Sequence, residues 1–335
     1  MNIVFLYNVR HHYPDPNDYR HQVETDFDDP KTTEWQISHL RNLGHKIIPI
    51  EADDKAYGKL YRLRKKIGLV FNVAEGMFGK DREAQFPAIL EMLQIPYTGS
   101  SPLTSAIILN KVRTKEILKN YKVPVLDQCV FENNEVKDFD LKFPVIIKPI
   151  SEGSSAGITR KSVVNNTTDL KKQVAYIIKS FNEPAMVEPF LSGREFSVAM
   201  VGNPPQILPI IEPNHNILPK KYLPFDSLEV KWFFEEERSD YLLCPAKISD
   251  KLKKRIEKIC LLSWKALKVY DYCRIDIKCD EKENPFVLEV NSPPGIMPPE
   301  VSTTSYFPLA ARKSGMDYES LLKKIINTAL TRYKK

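Results

Sequence analysis

Apolar residues fall into short runs separated by stretches of helical spacing. Residues 2–9 (NIVFLYNV) form one continuous run, read as a buried strand. Trp35, Ile37, Leu40 and Leu43 then recur at helical spacing. Gly44 supplies a stop, and HKIIPIEA reads as a second strand. GLVFNVA (68–74) is a third apolar run, and PAILEMLQIPYTG reads as helix, turn and strand. Strands alternating with helices predict a parallel sheet with crossover helices.

From about Ser100 the pattern changes. TSAIILNKVRTKEILKNY is helical in spacing and is broken at Val123-Pro124. FPVIIKPI (143–150) predicts a strand entering the loop SEGSSAG. NTTDLKKQVAYIIKSF predicts a helix capped near Thr168 or Asp169, and PAMVEPFL another strand. REFSVAMVG and QILPIIEP are further strands, followed by a polar and aromatic stretch from Asn214 to Tyr241. Asp250 is placed to cap the helix KLKKRIEKICLLSWKALKVY. The last helix puts Tyr318, Leu321, Leu322, Ile325, Ile326, Ala329 and Leu330 on one stripe, and the closing RYKK reads as a frayed, solvated end. The expected division is 1–100, 101–190 and 191–335, an α/β unit followed by two α+β units.

Composition narrows the function. The 335 residues suffice for two or three domains, and 42% hydrophobic with 27% charged residues fits a soluble globular class. No apolar run is long enough to cross a membrane. The N-terminal run lacks the basic flank and cleavage site of a signal peptide. Five scattered cysteines without a CxxC pair indicate neither a disulfide framework nor a zinc site, so a cytoplasmic location is expected. The net charge of +6 comes from 49 basic and 43 acidic residues that interleave. That is a weak signal for nucleic acid, and it suits a polyanionic small molecule.

The candidate chemistry lies in RIDIKCDEKENPFVLEVNSPPG (274–295). Strand alternation puts Arg274, Asp276 and Lys278 on one face. In the second strand it puts Val287, Glu289 and Asn291 on one face, and Phe286, Leu288 and Val290 on the other. If both apolar faces point inward, Asp276 comes to lie across from Glu289. Two carboxylates and an amide oxygen then converge, and a hard cation relieves their repulsion. Oxygen-only ligation selects magnesium or manganese over zinc, and magnesium implies a nucleotide. A solvated hairpin face with an Arg–Asp pair explains the same residues equally well when the hairpin is read alone.

Taken with other stretches, this hairpin resembles the ATP-grasp ligases, specifically the D-alanine–D-alanine ligase family. VIIKPISEGSSAG resembles a nucleotide lysine, Lys148, followed by a phosphate-covering loop with Glu152, Ser154 and Ser155. Lys111 matches an earlier ATP-facing lysine. VEPFLSGREFSV resembles the adenine hinge, with Glu188, Pro189, Phe190 and Leu191 at the base and Glu195 at the ribose. FDSLEVKW resembles a phosphate-contacting loop carrying Lys231. The resemblance implies Asp276, Glu289 and Asn291 as magnesium or manganese ligands, and Arg274 with a backbone N–H near Gly295 as the groups holding a developing oxyanion. It further implies an N-terminal parallel-sheet domain plus two α+β subdomains sandwiching ATP. The implied activity is ligation of two amino acids, or an amino acid and a peptide, through an acyl phosphate, in a homodimer that binds neither nucleic acid nor membrane. A nucleotide-binding regulator without turnover is the alternative. The glycines of SEGSSAG permit close backbone approach to phosphates, and no GxxxxGK[ST] or GxGxxG occurs.

The first-substrate half departs from that family's pattern. In EGMFGKDREAQ, Glu75 stands where the family has histidine and Lys80 where it has glutamate. Glu75 suits a cationic group on the first substrate, and equally a surface acid capping the next helix. Trp232 replaces a tyrosine. Extra residues (IMPPEVSTT) precede SYFP, where Ser305 is the candidate contact for the second substrate's carboxylate. An altered substrate choice is expected.

Overall fold

The computed structural model describes residues 1–334 apart from 235–237 and 239. The chain opens with β1 (Asn2–Tyr7), α1 (Pro30–Asn42), β2 (Lys46–Glu51), α2 (Ala56–Leu63), β3 (Leu69–Asn72) and α3 (Gln85–Met92). The three strands form the expected parallel sheet in the order β2-β1-β3, which Tyr97 extends by a bridge to Val70. Alternation along β1 separates two cores. Ile3 and Phe5 pack with Ile37 and Leu40 of α1. Val4 and Leu6 pack with Leu60 of α2 and Leu90 of α3. Helices on both faces are what a parallel sheet requires to bury its apolar strands.

The helical stretch after Ser100 is two helices, α4 (Pro102–Leu109) and α5 (Lys111–Asn120), rather than one. Asn110 adopts an extended conformation and its side chain accepts from the Arg113 N–H, so it ends one helix and caps the next. The break puts Lys111 at the first position of α5, where its N–H donates to Ile150 O at 3.0 Å. Four strands follow: β4 (Cys129–Phe131), β5 (Val145–Pro149), β6 (Val163–Val164) and β7 (Ala185–Pro189). They form an antiparallel sheet in the order β4-β7-β5-β6, backed by α6 (Thr167–Phe181). Asn166 caps α6, one residue before the Thr-Thr-Asp run, because its side chain reaches the Asp169 N–H at 3.0 Å.

The third part contains β8 (Glu195–Val201), β9 (Gln206–Ile207), β10 (Glu212–Pro213), α7 (Leu228–Phe233), β11 (Leu242–Leu243), α8 (Asp250–Leu267), β12 (Tyr272–Cys279) and β13 (Pro285–Asn291). Its main sheet runs β13-β12-β8-β9, with α8 packed on the apolar face. The expected strand QILPIIEP is split into β9 and β10, since Pro209 has no N–H to offer a ladder. Ser249 caps α8, and Asp250 is its first helical residue. Two closing helices, α9 (Tyr306–Lys313) and α10 (Tyr318–Tyr333), return to the first sheet, where Leu321, Leu322 and Ile325 join the core of Ile3 and Phe5. The end of α10 is anchored rather than frayed. Arg332 donates at 2.7 Å to Asp271, whose side chain is fully buried, and to Tyr97 O and Gly99 O.

Candidate active site

The β12–β13 ladder sets the first wall of the site. Arg274 pairs with Asn291 and Asp276 with Glu289, as the alternation requires. The register then shifts, and Ile277 pairs with Val287. This bulge reverses the facing expected for residues 286–288. Val287 joins the core beneath the sheet, and Leu288 lines the cavity with Glu289. Asp276 is gripped from several sides. Arg274 Nη2 donates to it at 2.8 Å and Asn291 Nδ2 at 3.1 Å, and the Ser197 hydroxyl donates as well. Burial pushes the Asp276 carboxyl up, but Arg274, Lys231 and Ser197 outweigh it and hold it below the usual carboxylate range.

Facing this wall, β5 and β7 present a buried ion cluster. Glu188, 0% exposed, accepts from Lys148 Nζ at 2.6 Å and from Lys115 Nζ. Burial raises the Glu188 carboxyl, yet the two ammonium groups outweigh it and bring it to about 2. Lys115 is pushed down by the same burial, whereas Lys148 is held up by Glu188 against it. Lys115 was not singled out in the sequence; its spacing one turn after Lys111 was the available signal. Glu195 at the head of β8 accepts from Lys278 at 2.9 Å.

Two loops cover the space between these walls. In residues 151–157, Ser154, Ser155 and Gly157 all have positive φ, so the chain turns tightly, and Gly153, Ser154 and Ser155 line the cavity. Lys111 Nζ donates to Glu152 O from below. Ser155 Oγ donates at 2.8 Å to Asp226 O on the second loop. The Asp226 carboxylate accepts from Tyr241 OH at 2.6 Å and Tyr306 OH at 2.7 Å, with His215 Nε2 at 3.2 Å. Asp226 thus joins the glycine-serine loop, the approach to Lys231 on α7, and the residue after Ser305. The sequence pointed to Lys231 in that stretch and passed over Asp226.

The end of the space nearest the parallel sheet is acidic. Asp26, Asp28, Glu75, Glu83 and Glu152 line it. Gly76, at φ +80, lets the 75–82 segment fold back until an added Cβ would stand 2.1 Å from Arg82 O. Arg82 Nη2 lies 3.3 Å from both Asp26 and Glu152, and Nη1 donates at 2.9 Å to Ser151 O. Burial pushes the Glu83 carboxyl up to about 8 and Glu75 well above its ordinary value, and the charge of Glu83 raises Glu75 further. Glu75 is therefore a cavity residue and not a surface cap. Asp26, Asp28 and Glu83 were not anticipated. The DFDDP run before α1 was the only hint of the first two.

The two sheets, the loops and the acidic corner border one cavity of about 770 Å³. Lys111, Lys148, Glu152, Ser154, Ser155, Glu188, Pro189, Phe190, Leu191, Glu195 and Lys231 line it, as do Arg274, Asp276, Glu289, Asn291, Gly295, Glu75 and Ser305. Its chemistry is divided. Lysines and an arginine face two sheets at one end, and carboxyl groups dominate at the other. Asp276, Glu289 and Asn291 fit a hard divalent cation, because their donors are two opposed carboxylates and an amide on one strand pair. Among the described residues no helix is long and apolar enough to cross a membrane.

Two antiparallel sheets that enclose a lysine-lined cavity beside a parallel-sheet unit define an ATP-grasp protein. A family model described as "D-ala D-ala ligase C-terminus" matches residues 105–327. The D-alanine–D-alanine ligase of Aquifex aeolicus is 32% identical over 298 residues, covering 88% of this chain and 94% of that protein. "Uncharacterized protein y4sG" of Sinorhizobium fredii is 34% identical over 304 residues, covering 89% of this chain and 87% of that one. The crystal structure of a Bacillus anthracis D-alanine–D-alanine ligase complexed with ATP superposes with a TM-score of 0.72 at 23% identity, covering 99% and 98% of the two chains. The chain belongs to the D-alanine–D-alanine ligase family of ATP-grasp enzymes, ATP-dependent ligases that form carbon–nitrogen bonds.

Proposed function

We propose that the enzyme joins two amino acids, or an amino acid and a peptide, through an acyl phosphate, and that its first substrate differs from D-alanine. The observation that carries this reading is the single cavity that sets Lys111, Lys148 and Lys231 beside Arg274 and Asp276 at one end and the Glu75 corner at the other. ATP would lie between the β5–β7 sheet and the β8–β12–β13 sheet. The Lys148 ammonium, held by Glu188 until ligand arrives, would turn to the phosphates. Residues 188–191 would border the adenine, and Glu195 the ribose.

A carboxylate oxygen of the first substrate attacks the γ-phosphorus and ADP leaves. The amine of the second substrate then attacks the acyl carbon, loses a proton, and expels phosphate. Lys148 and Lys231 hold the phosphoryl oxygens. Arg274 and the backbone N–H near Gly295 hold the oxyanion that forms on the acyl carbon. The 151–157 loop, with Ser154, keeps water from the acyl phosphate. Asp276, Glu289 and Asn291 would hold magnesium or manganese, which when bound neutralises charge on the phosphoryl group. Ser305 would meet the carboxylate of the second substrate.

An ADP-release assay over amino acids and dipeptides tests the proposal. Substrate-stimulated ADP and phosphate are expected. AMP and pyrophosphate would contradict it, and magnesium-ATP binding without stimulated release would favour a nucleotide-binding regulator instead.

A further inference from the structure

The acidic corner holds more negative charge than an ordinary α-amino acid answers. Arg82 is occupied by Asp26, Glu152 and Ser151 O. Asp28 accepts from Gln36 at 3.2 Å and feels the charge of Arg10. Asp29, beside it, is used as the N-cap of α1. With the helix-capping Asp29 set aside, Arg82, Arg10 and Lys111, which reaches this corner at Glu152 O, stand against Asp26, Asp28, Glu75, Glu83 and Glu152 and leave an excess of two negative charges when all are ionised. The α-ammonium of an amino acid answers one of them.

The remaining pair is Glu75 and Glu83. Both are half-buried, and both line the cavity. Burial adds to the cost of ionising both, and they lie close enough that the charge of Glu83 raises Glu75. Neither forms an ion pair with a basic side chain among the described residues. A cation entering here offsets that repulsion and lets both groups ionise. A metal ion is the weaker candidate, because among the described residues no three His, Cys, Asp or Glu side chains are grouped to hold one. A separate observation calls for a hydrogen-bonding ligand at this end. Thr32, in the first turn of α1 beside Asp29, lines the cavity and is 1% exposed, and its hydroxyl has no partner among the described residues. A primary ammonium carries three donors, enough for two carboxylates and a hydroxyl.

We infer that the first substrate is a diamino acid, an α-amino acid whose side chain ends in a second ammonium group received by Glu75 and Glu83. The inference rests on the ligase reading and names its substrate class. The corner abuts the glycine-serine loop, since an added Cβ on Gly153 would lie 2.4 Å from the Asp26 carboxylate. The substrate's carboxylate therefore reaches toward the phosphates while its side chain occupies the acidic end.

The test uses the intact enzyme with magnesium-ATP and hydroxylamine as the amine, so that only the first substrate varies. Hydroxylamine displaces phosphate from the acyl phosphate and leaves a hydroxamate. Lysine, ornithine and 2,4-diaminobutyrate, in both enantiomers, are compared with norleucine, norvaline and 2-aminobutyrate, and ADP and hydroxamate are measured together. At least one diamino acid is expected to exceed its neutral counterpart by about ten- to hundredfold in kcat/KM. In Glu83→Gln that ratio is expected to collapse toward one while the melting temperature is retained, an outcome that a merely structural role would not give. Turnover of neutral amino acids with no diamino preference would overturn the inference and leave the ligase reading standing. Absence of ADP with every amino acid would overturn both. The wild-type comparison decides the question even if the variant does not fold.

Discussion

Asp276 receives hydrogen bonds from Arg274, Ser197 and Asn291 before any ligand arrives. Those donors keep it ionised against burial, which is the state a metal ligand needs. Replacement by asparagine preserves shape and removes the charge. Asp276→Asn is expected to lower ADP release by about a hundredfold or more with little change in melting temperature, checked by a coupled ADP assay and thermal unfolding. Wild-type rates would remove the metal assignment. The carboxyls at the other end give a pH signature. Burial raises Glu83 to about 8, Glu152 to about 7 and Asp28 to about 6. A raised carboxyl favours the folded state while it stays protonated. Its contribution is complete below the unfolded value and is lost as pH rises through the folded one. The ligand-free protein is therefore expected to lose a few degrees of melting temperature between pH 5 and pH 8, and Glu83→Gln to flatten that slope. Strand alternation alone put Arg274, Asp276 and Glu289 on one face, as the ladder has them. It did not locate Asp226 or Glu83, whose significance comes from partners distant in sequence.

At the scale of elements, the alternation of β1 and the stripe of α10 were legible because each buries one continuous surface. The facing of residues 286–288 was not, because one extra residue in β13 inverts the parity that alternation assumes. Nor was the division of α4 from α5. Helical spacing continues through Asn110, and only its side-chain cap on Arg113 shows the break that brings Lys111 to the cavity. Two turns make definite predictions. Gly76→Ala would place a Cβ 2.1 Å from Arg82 O at a φ of +80. It is expected to cost about 2 kcal/mol or more in stability, measured by denaturant unfolding, and to displace Glu75. In Gly153→Ala the atoms nearest the added Cβ are those of the Asp26 carboxylate. That residue can shift, so the fold is expected to survive while kcat/KM for ATP falls about tenfold.

Across the whole molecule, the final helix docks on the first sheet, and Arg332 ties the chain end to Asp271, Tyr97 O and Gly99 O. That return closes the acidic unit against the lysine-bearing sheets, so the cavity draws on distant parts of the chain. The ATP-grasp architecture was legible in the order of its motifs. The charge division of the cavity was not, because it depends on which loops meet. Magnesium-ATP is expected to stabilise the folded protein by about 3 kcal/mol at a hundredfold excess over its Kd, and ATP with the metal chelated by much less, read as a shift in melting temperature. The most direct measurement uses a first substrate labelled with ¹⁸O in its carboxylate. An acyl phosphate hands one carboxylate oxygen to the departing phosphate, so inorganic phosphate carrying one ¹⁸O is the expected product. Phosphate formed without the label, or label recovered in AMP, would contradict the account.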